Sequence, residues 1–221
     1  MEARINLRAT AASHDHVIPM MSLPWLLGLR PEGPDAATIP YLRPDLEVVR
    51  VWRSRYREAL PGARQIVGLI WRANPTGPAS EARSLPVGSL APLAGVVDIG
   101  FVNLQGGDAP GRAAIAAVLP GALDALGESD GQPPLDQFAA AIAATDMLVS
   151  VDTLGAHLAG AMAHPGVVLL PTAPAFGFFW GHRGDRSPWY PSSRLIRQRH
   201  HGDWSDPIMA ARAFLESGIQ S

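Results

Sequence analysis

Within the run Ser150-Val151-Asp152-Thr153-Leu154-Gly155-Ala156-His157-Leu158-Ala159-Gly160-Ala161, a carboxylate, a hydroxyl and an imidazole follow one another just where an apolar run gives way to small residues. Those types at that spacing suit anion binding. A helix starting at Leu154 leaves its first-turn amides unpaired and partly positive, which favours a diphosphate. Thr153 adds a hydroxyl donor, and His157, one turn in, faces the same anion. Gly155, Ala156, Ala159 and Gly160 let helix, sheet and ligand approach closely. On physics alone a plainer reading has equal weight: Asp152 or Thr153 caps the helix, and His157 is a satisfied, half-buried histidine.

Other candidate chemistry is thinner. Phe176, Phe178, Phe179 and Trp180 invite base or sugar stacking, but four large apolar residues so close together read as a loop packed on the core or on another subunit. Gly106-Gly107-Asp108-Ala109-Pro110-Gly111-Arg112 lacks the Gly-Lys-Ser/Thr of a phosphate loop and fails the dinucleotide spacing. His14-Asp15-His16 and His200-His201 are read as adventitious, so no metal site is expected. Cysteine is absent, which removes disulfides, thiolate zinc sites and thiol nucleophiles and fits a reducing, cytoplasmic location.

The bulk numbers bound the partners. The 221 residues are 47% hydrophobic and 17% charged, with a formal net charge of −2, which suits a globular chain with a sizeable core. Such balance gives no electrostatic footprint for nucleic acid or an anionic membrane. The basic stretch Arg194, Arg197, Arg199, His200 and His201 reads as a solvated strand edge and loop. Met20–Leu29 is too short and too broken by Pro and Gly to span a bilayer.

The elements that must position the Asp-Thr-His run follow from periodicity. Residues 1–62 are punctuated by Pro19, Pro24, Pro31, Pro34, Pro40 and Pro44, carry one helix from about Pro44 to Leu60, and cannot form a core alone. They are expected to wrap, as an appendage, onto residues 63–221. From Gln65 the pattern changes: Ile66-Val67-Gly68-Leu69-Ile70-Trp71 reads as a strand buried on both faces. A short helix near Val87–Leu93, a strand within Val97–Leu104, a helix over Gln137–Ala144 and a strand over Met147–Val151 follow. Then come a helix over Leu154–Ala163, a strand over Val167–Leu170, a strand over Arg194–Gln198 and a helix over Asp206–Leu215 with Asp203 or Ser205 at its N-cap. Alternation at this spacing predicts an α/β fold with a doubly wound, mostly parallel, Rossmann-like sheet. Residues 108–136 fit least well.

Read with its surroundings, Val149–Pro171 resembles the corresponding stretch of heptosyltransferase-like and TPR-linked glycosyltransferase-like proteins. Further matches fall in the same order: Met21-Ser22-Leu23-Pro24, Ile39-Pro40-Tyr41-Leu42, Val67–Trp71 with Asn74-Pro75, Arg83-Ser84-Leu85-Pro86, Leu104-Gln105, Ser187-Pro188-Trp189-Tyr190-Pro191 and Gly202-Asp203-Trp204. The resemblance implies the nucleotide-sugar-binding half of a GT-B fold, which needs no metal or other cofactor, its nucleotide sugar being a co-substrate. It implies that Asp152, Thr153, Leu154, Gly155 and His157 hold the diphosphate, that Arg83 is a cation beside it, and that Gln105 lies near the nucleotide.

The chain also departs from that pattern. Residues 1–62 resemble only the tail of the N-terminal Rossmann domain and its connection, and inverting enzymes of this architecture generally draw their base from that domain. Gly77, Ala79 and Ser80 stand where a His and an Asn-Asp pair are usual, and Gly106 where a Lys often follows Leu-Gln. Ala175-Phe176-Gly177-Phe178 replaces Asp-Trp-Arg-Trp, and Gln137 an Asp; Arg72, His182 and Arg183 are the candidates to compensate. The expectation is therefore either a donor-half glycosyltransferase or a catalytically inactive binding module. Self-association, or a partner supplying an N-terminal domain, is expected at the face bearing Trp25, Leu26, Leu27 and the Phe176–Trp180 loop.

Overall fold

The computed structural model describes residues 17–18, 22–28, 39–75, 79–106, 109–127, 133–172 and 177–218. His14, His16, Met21, Gly77, Gly107, Asp108, Ala175, Phe176 and the side chain of Trp25 lie outside them. In chain order the elements are α1 (Leu23–Leu26), α2 (Leu46–Ala59), β1 (Gln65–Ile70), α3 (Ser80–Arg83), a 3-10 helix (Val87–Gly95), β2 (Ile99–Asn103), α4 (Ala109–Val118) and β3 (Leu123–Asp124). They continue with α5 (Leu135–Ala143), β4 (Met147–Val151), α6 (Leu154–Ala161), β5 (Gly166–Leu170), α7 (Gly177–Trp180), β6 (Ser193–Arg197) and α8 (Ser205–Gly218).

The strands form one six-stranded sheet, ordered β3-β2-β1-β4-β5-β6, with every pairing parallel. This is the doubly wound, Rossmann-like order, and its direction reverses between β1 and β4, the crevice where such sheets bind ligands. β1, β4 and β5 are apolar almost throughout because both of their faces are covered. Odd-numbered residues (Val67, Leu69, Val149, Val151, Val167, Leu169) face one layer, with Leu90, Leu93, Ile115, Leu119, Ile208 and Leu215. Even-numbered residues face the other: Ile66, Ile70, Val102 and Leu148 meet Tyr56, Phe138, Ile142 and Leu158, while Val168 and Leu170 meet Trp180 and Tyr190.

The sequence left 108–136 without a clear period, yet α4 and β3 lie there. Pro110 and Gly111 stand in the first turn of the helix and dilute its sequence period, and β3 contributes only two residues to the sheet, too few to show an alternation. The segment before Gln65 does join the core. Asp45 caps α2 by accepting from the Glu47 amide at 2.8 Å. Tyr56 is fully buried, and its hydroxyl donates to the Ala141 carbonyl at 3.2 Å. Burial, the larger effect, holds that phenol well above its ordinary range against the lowering influence of Arg55. Arg53 donates to the Ala144 carbonyl at 2.7 Å, and both Arg53 and Arg57 pair with Asp146, just before β4. Among the described residues no helix is long and apolar enough to cross a membrane, and no group of three or more His, Asp or Glu side chains is placed to hold a metal.

Candidate functional site

β4 delivers Asp152 to the crevice with its side chain 1% exposed. The carboxylate does not cap the helix. Oδ1 accepts the Trp180 indole N–H at 2.8 Å and lies 3.7 Å from His157 Nε2. Arg83, from α3, donates through Nη1 to the Asp152 carbonyl at 2.8 Å, and the same nitrogen lies 3.6 Å from Oδ2. Oδ2 itself is buried without a hydrogen bond. A carboxylate in that position is stable only because the guanidinium compensates its charge.

Thr153 is the N-cap by position, with extended backbone (φ −145°, ψ 169°), but its side chain makes no capping hydrogen bond. The hydroxyl instead lies 2.9 Å from Ser150 Oγ. Neither residue therefore acts as the simple cap of the plainer reading, and the α6 amides keep their partial positive charge at the sheet edge. Leu154 is 46% exposed beside them. A Cβ on Gly155 would lie 2.3 Å from Ile70 Cδ1, so a larger residue there would make the Ile70 side chain shift.

His157 sits among aromatic rings. It stacks on Trp180 (centroids 4.8 Å apart, planes at 29°) and meets Phe179 and Tyr190 edge-on. Its Nδ1 is 3.2 Å from the Tyr190 hydroxyl, so each ring nitrogen faces a protein group. Tyr190 is buried and crosses α6 at Gly160, where a Cβ would come within 2.2 Å of Tyr190 Cγ. The turn that presents it is built by Ser187, whose Oγ donates to the Phe179 carbonyl at 2.8 Å and accepts the Tyr190 amide at 3.0 Å. Burial pushes the Tyr190 phenol far above its ordinary range. Arg197, at the end of β6, holds the loop by donating to the Trp180 and Gly181 carbonyls at 2.7 and 3.1 Å.

Asp152, Thr153, Leu154, Gly155 and His157 are thus brought together, with Arg83 behind them. Two expected roles are modified. Arg83, expected as a cation beside a diphosphate, is buried with its Nη1 engaged by Asp152. Gln105 accepts the Trp71 and Arg72 amides at 3.2 and 2.8 Å and donates to the Gly106 carbonyl at 3.3 Å, tying the ends of β1 and β2 together. It lies beside Trp71, Arg72, Asn103 and Arg112 in a shallow surface depression. Trp180 and Tyr190 had been noticed only as an apolar loop and as part of the Ser187–Pro191 match. One signal was available: a buried tryptophan N–H usually finds an acceptor, and a buried carboxylate provides one.

No protein-family model matches the chain. Its fold is shared with E. coli ADP-heptose LPS heptosyltransferase II, at a TM-score of 0.50 and 21% identity over 77% of this chain and 53% of that one. A family 9 glycosyl transferase from Veillonella parvula aligns at a TM-score of 0.48 and 18% identity, covering 73% of this chain and 45% of that one. The class defined by the fold is a Rossmann-like α/β domain with an all-parallel sheet. In sequence, the chain is 29% identical over 177 residues to Protein FlbA of Caulobacter vibrioides. That match covers 76% of this chain but 27% of FlbA, so the chain spans about a quarter of the length of that relative.

Proposed function

We propose that this domain binds the diphosphate of a nucleotide sugar at the start of α6, without a metal, as the donor half of a glycosyltransferase. The observation that carries this reading is the uncapped α6 N-terminus at the β1/β4 reversal, with the Thr153 hydroxyl directed to Ser150 instead of the helix. The shared fold adds support, since the E. coli neighbour is an ADP-heptose LPS heptosyltransferase. In this reading backbone amides of Leu154 and Gly155 and the Thr153 hydroxyl hold the anion, and Asp152 and His157 shape the edge. An acceptor site and a base would come from a further domain, TPR-linked or otherwise, from a partner, or from a second copy. A cytoplasmic setting suits such a donor.

A second reading, a catalytically silent binding module, draws on a specific observation: Arg83 Nη1, both Gln105 amide atoms and both His157 nitrogens face protein groups. Arg83 then spends one of its guanidinium nitrogens on the protein instead of on transition-state charge, where a preorganised cation is worth roughly 3–4 kcal/mol. Both readings call for weak binding and no transfer by these residues alone. Calorimetry with ADP, UDP and GDP tests them. Thr153→Val is expected to weaken binding by about 1 kcal/mol, the net worth of one hydrogen bond. No heat with any nucleotide would defeat the binding reading, and sugar transfer by the 221-residue chain would defeat the silent reading together with the expectation that the acceptor site and base lie elsewhere.

A further inference from the structure

The segment before α2 touches helix α6 at two levels. Near the helix C-terminus, the Tyr41 and Leu42 amides both donate to the Ala161 carbonyl, at 3.0 and 3.2 Å. Farther along, the Tyr41 hydroxyl donates to the Tyr190 hydroxyl at 3.5 Å, and Tyr190 reaches His157 Nδ1 at 3.2 Å. His157 Nε2 then faces Asp152 Oδ1 at 3.7 Å, next to Arg83 and the start of α6.

We propose that Tyr190, backed by Tyr41, is a positioning residue that fixes His157 and couples the 39–42 segment to the N-terminal end of α6. The direction of each bond follows from charge. A lone pair turned toward the Asp152 carboxylate would be repelled, so the imidazole proton sits on Nε2 and Nδ1 must accept. The Tyr190 hydroxyl is its donor, and the Tyr190 oxygen in turn accepts from Tyr41. The Tyr190 ring cannot retreat freely, because it lies against Gly160 and is buried between Trp180 and His157. Tyr41 is 54% exposed, so it alone in this chain of groups reaches well into solvent, where a preceding or partner domain would meet it. A shift of segment 39–42 therefore reaches the ligand end of α6 through hydroxyl groups as well as through the helix. Only the ligand response rests on the diphosphate reading; the bond order stands on the geometry.

Nitrogen NMR of histidine-labelled 221-residue chain tests the proposal, with the His157 signals identified by their loss in His157→Gln. In the wild type, Nε2 is expected as the protonated nitrogen and Nδ1 as a hydrogen-bonded acceptor. Tyr190→Phe removes one oxygen and should move Nδ1 downfield toward a free lone pair. Tyr41→Phe, which touches His157 nowhere, should move it the same way by a smaller amount. Should Tyr190→Phe fail to fold, Tyr41→Phe decides. An Nδ1 signal unmoved by Tyr41→Phe, or a proton found on Nδ1 in the wild type, overturns the proposal. On titration with ADP, the Tyr41 and Leu42 amide signals should shift in the wild type and lose that response in Tyr190→Phe. If ADP does not bind, the diphosphate reading fails while the apo spectra still decide the coupling; ADP bound without a response at Tyr41 sinks the coupling alone.

Discussion

Two aspartates bracket β4, and they are treated differently. Asp146, before the strand, is about a third exposed and meets Arg53, Arg57 and the Ile66 amide, so both oxygens have partners. Asp152, after the strand, is buried, and one of its oxygens takes no hydrogen bond. The first end of the sheet is closed by pairing that docks α2. The second keeps a strained balance of charge, with two more buried donors of Arg197, Nε and Nη1, lacking partners nearby. Folded chains hold few such groups, and the unpartnered Asp152 oxygen sets the end of β4 apart from its start, where Asp146 is fully paired.

The sharpest way to break this contrast is Arg83→Met. It leaves the Asp152 carboxylate buried beside an apolar side chain and should cost about 3–5 kcal/mol in urea unfolding. A loss below about 1 kcal/mol would mean that Asp152 is solvated or protonated and that the two ends do not differ as described.

Next comes acid. His164 packs at the Asp146 end, 3.1 Å from Thr145 Oγ1, and burial chiefly lowers its pKa from 6.5 to about 4, Asp146 opposing and Arg53 assisting. Between those values the unfolded chain takes a proton that the folded chain refuses. Stability is therefore full above pH 6.5 and falls on acidification toward pH 4, by about 3 kcal/mol at 1.36 kcal/mol per unit. Urea midpoints across that range should flatten in His164→Gln; wild type and variant running parallel would remove His164 from the account.

The smallest effect is expected at Asp146 itself. Asp146→Asn should cost about 1 kcal/mol and should matter less at high salt, as for half-exposed ion pairs generally. A cost comparable to that of Arg83→Met would erase the distinction between the two ends.

How much of this was legible beforehand depended on range. β1, β4 and β5 declared themselves because burial on both faces writes an unbroken apolar run, and the β4–α6 junction was visible for the same reason. The partners of Asp152 were not. Arg83 is 69 residues away and Trp180 is 28, and no local period reports such pairings. Arg83 is expected beside the diphosphate from the resemblance alone, and its burial next to Asp152 is not visible in sequence. Gly160 could be assigned to close packing, but which ring it admits, that of Tyr190, required the turn built by Ser187. The bland view of the aromatic loop was right about packing for Phe178, Phe179 and Trp180, and incomplete about the indole N–H that reaches the site.

The hold of segment 39–42 and α2 on the sheet bears on where this chain can be cut. A boundary drawn by sequence pattern falls near residue 63, where the first strand begins. A truncation there would release the Ala161 carbonyl from two amides and empty the space filled by Tyr56. Deleting a buried aromatic side chain alone costs about 3–5 kcal/mol, a large share of the 5–15 kcal/mol that a domain has in total. Fragments meant for expression should start before Ile39, since Tyr41, Leu42 and Tyr56 are held against the rest of the fold.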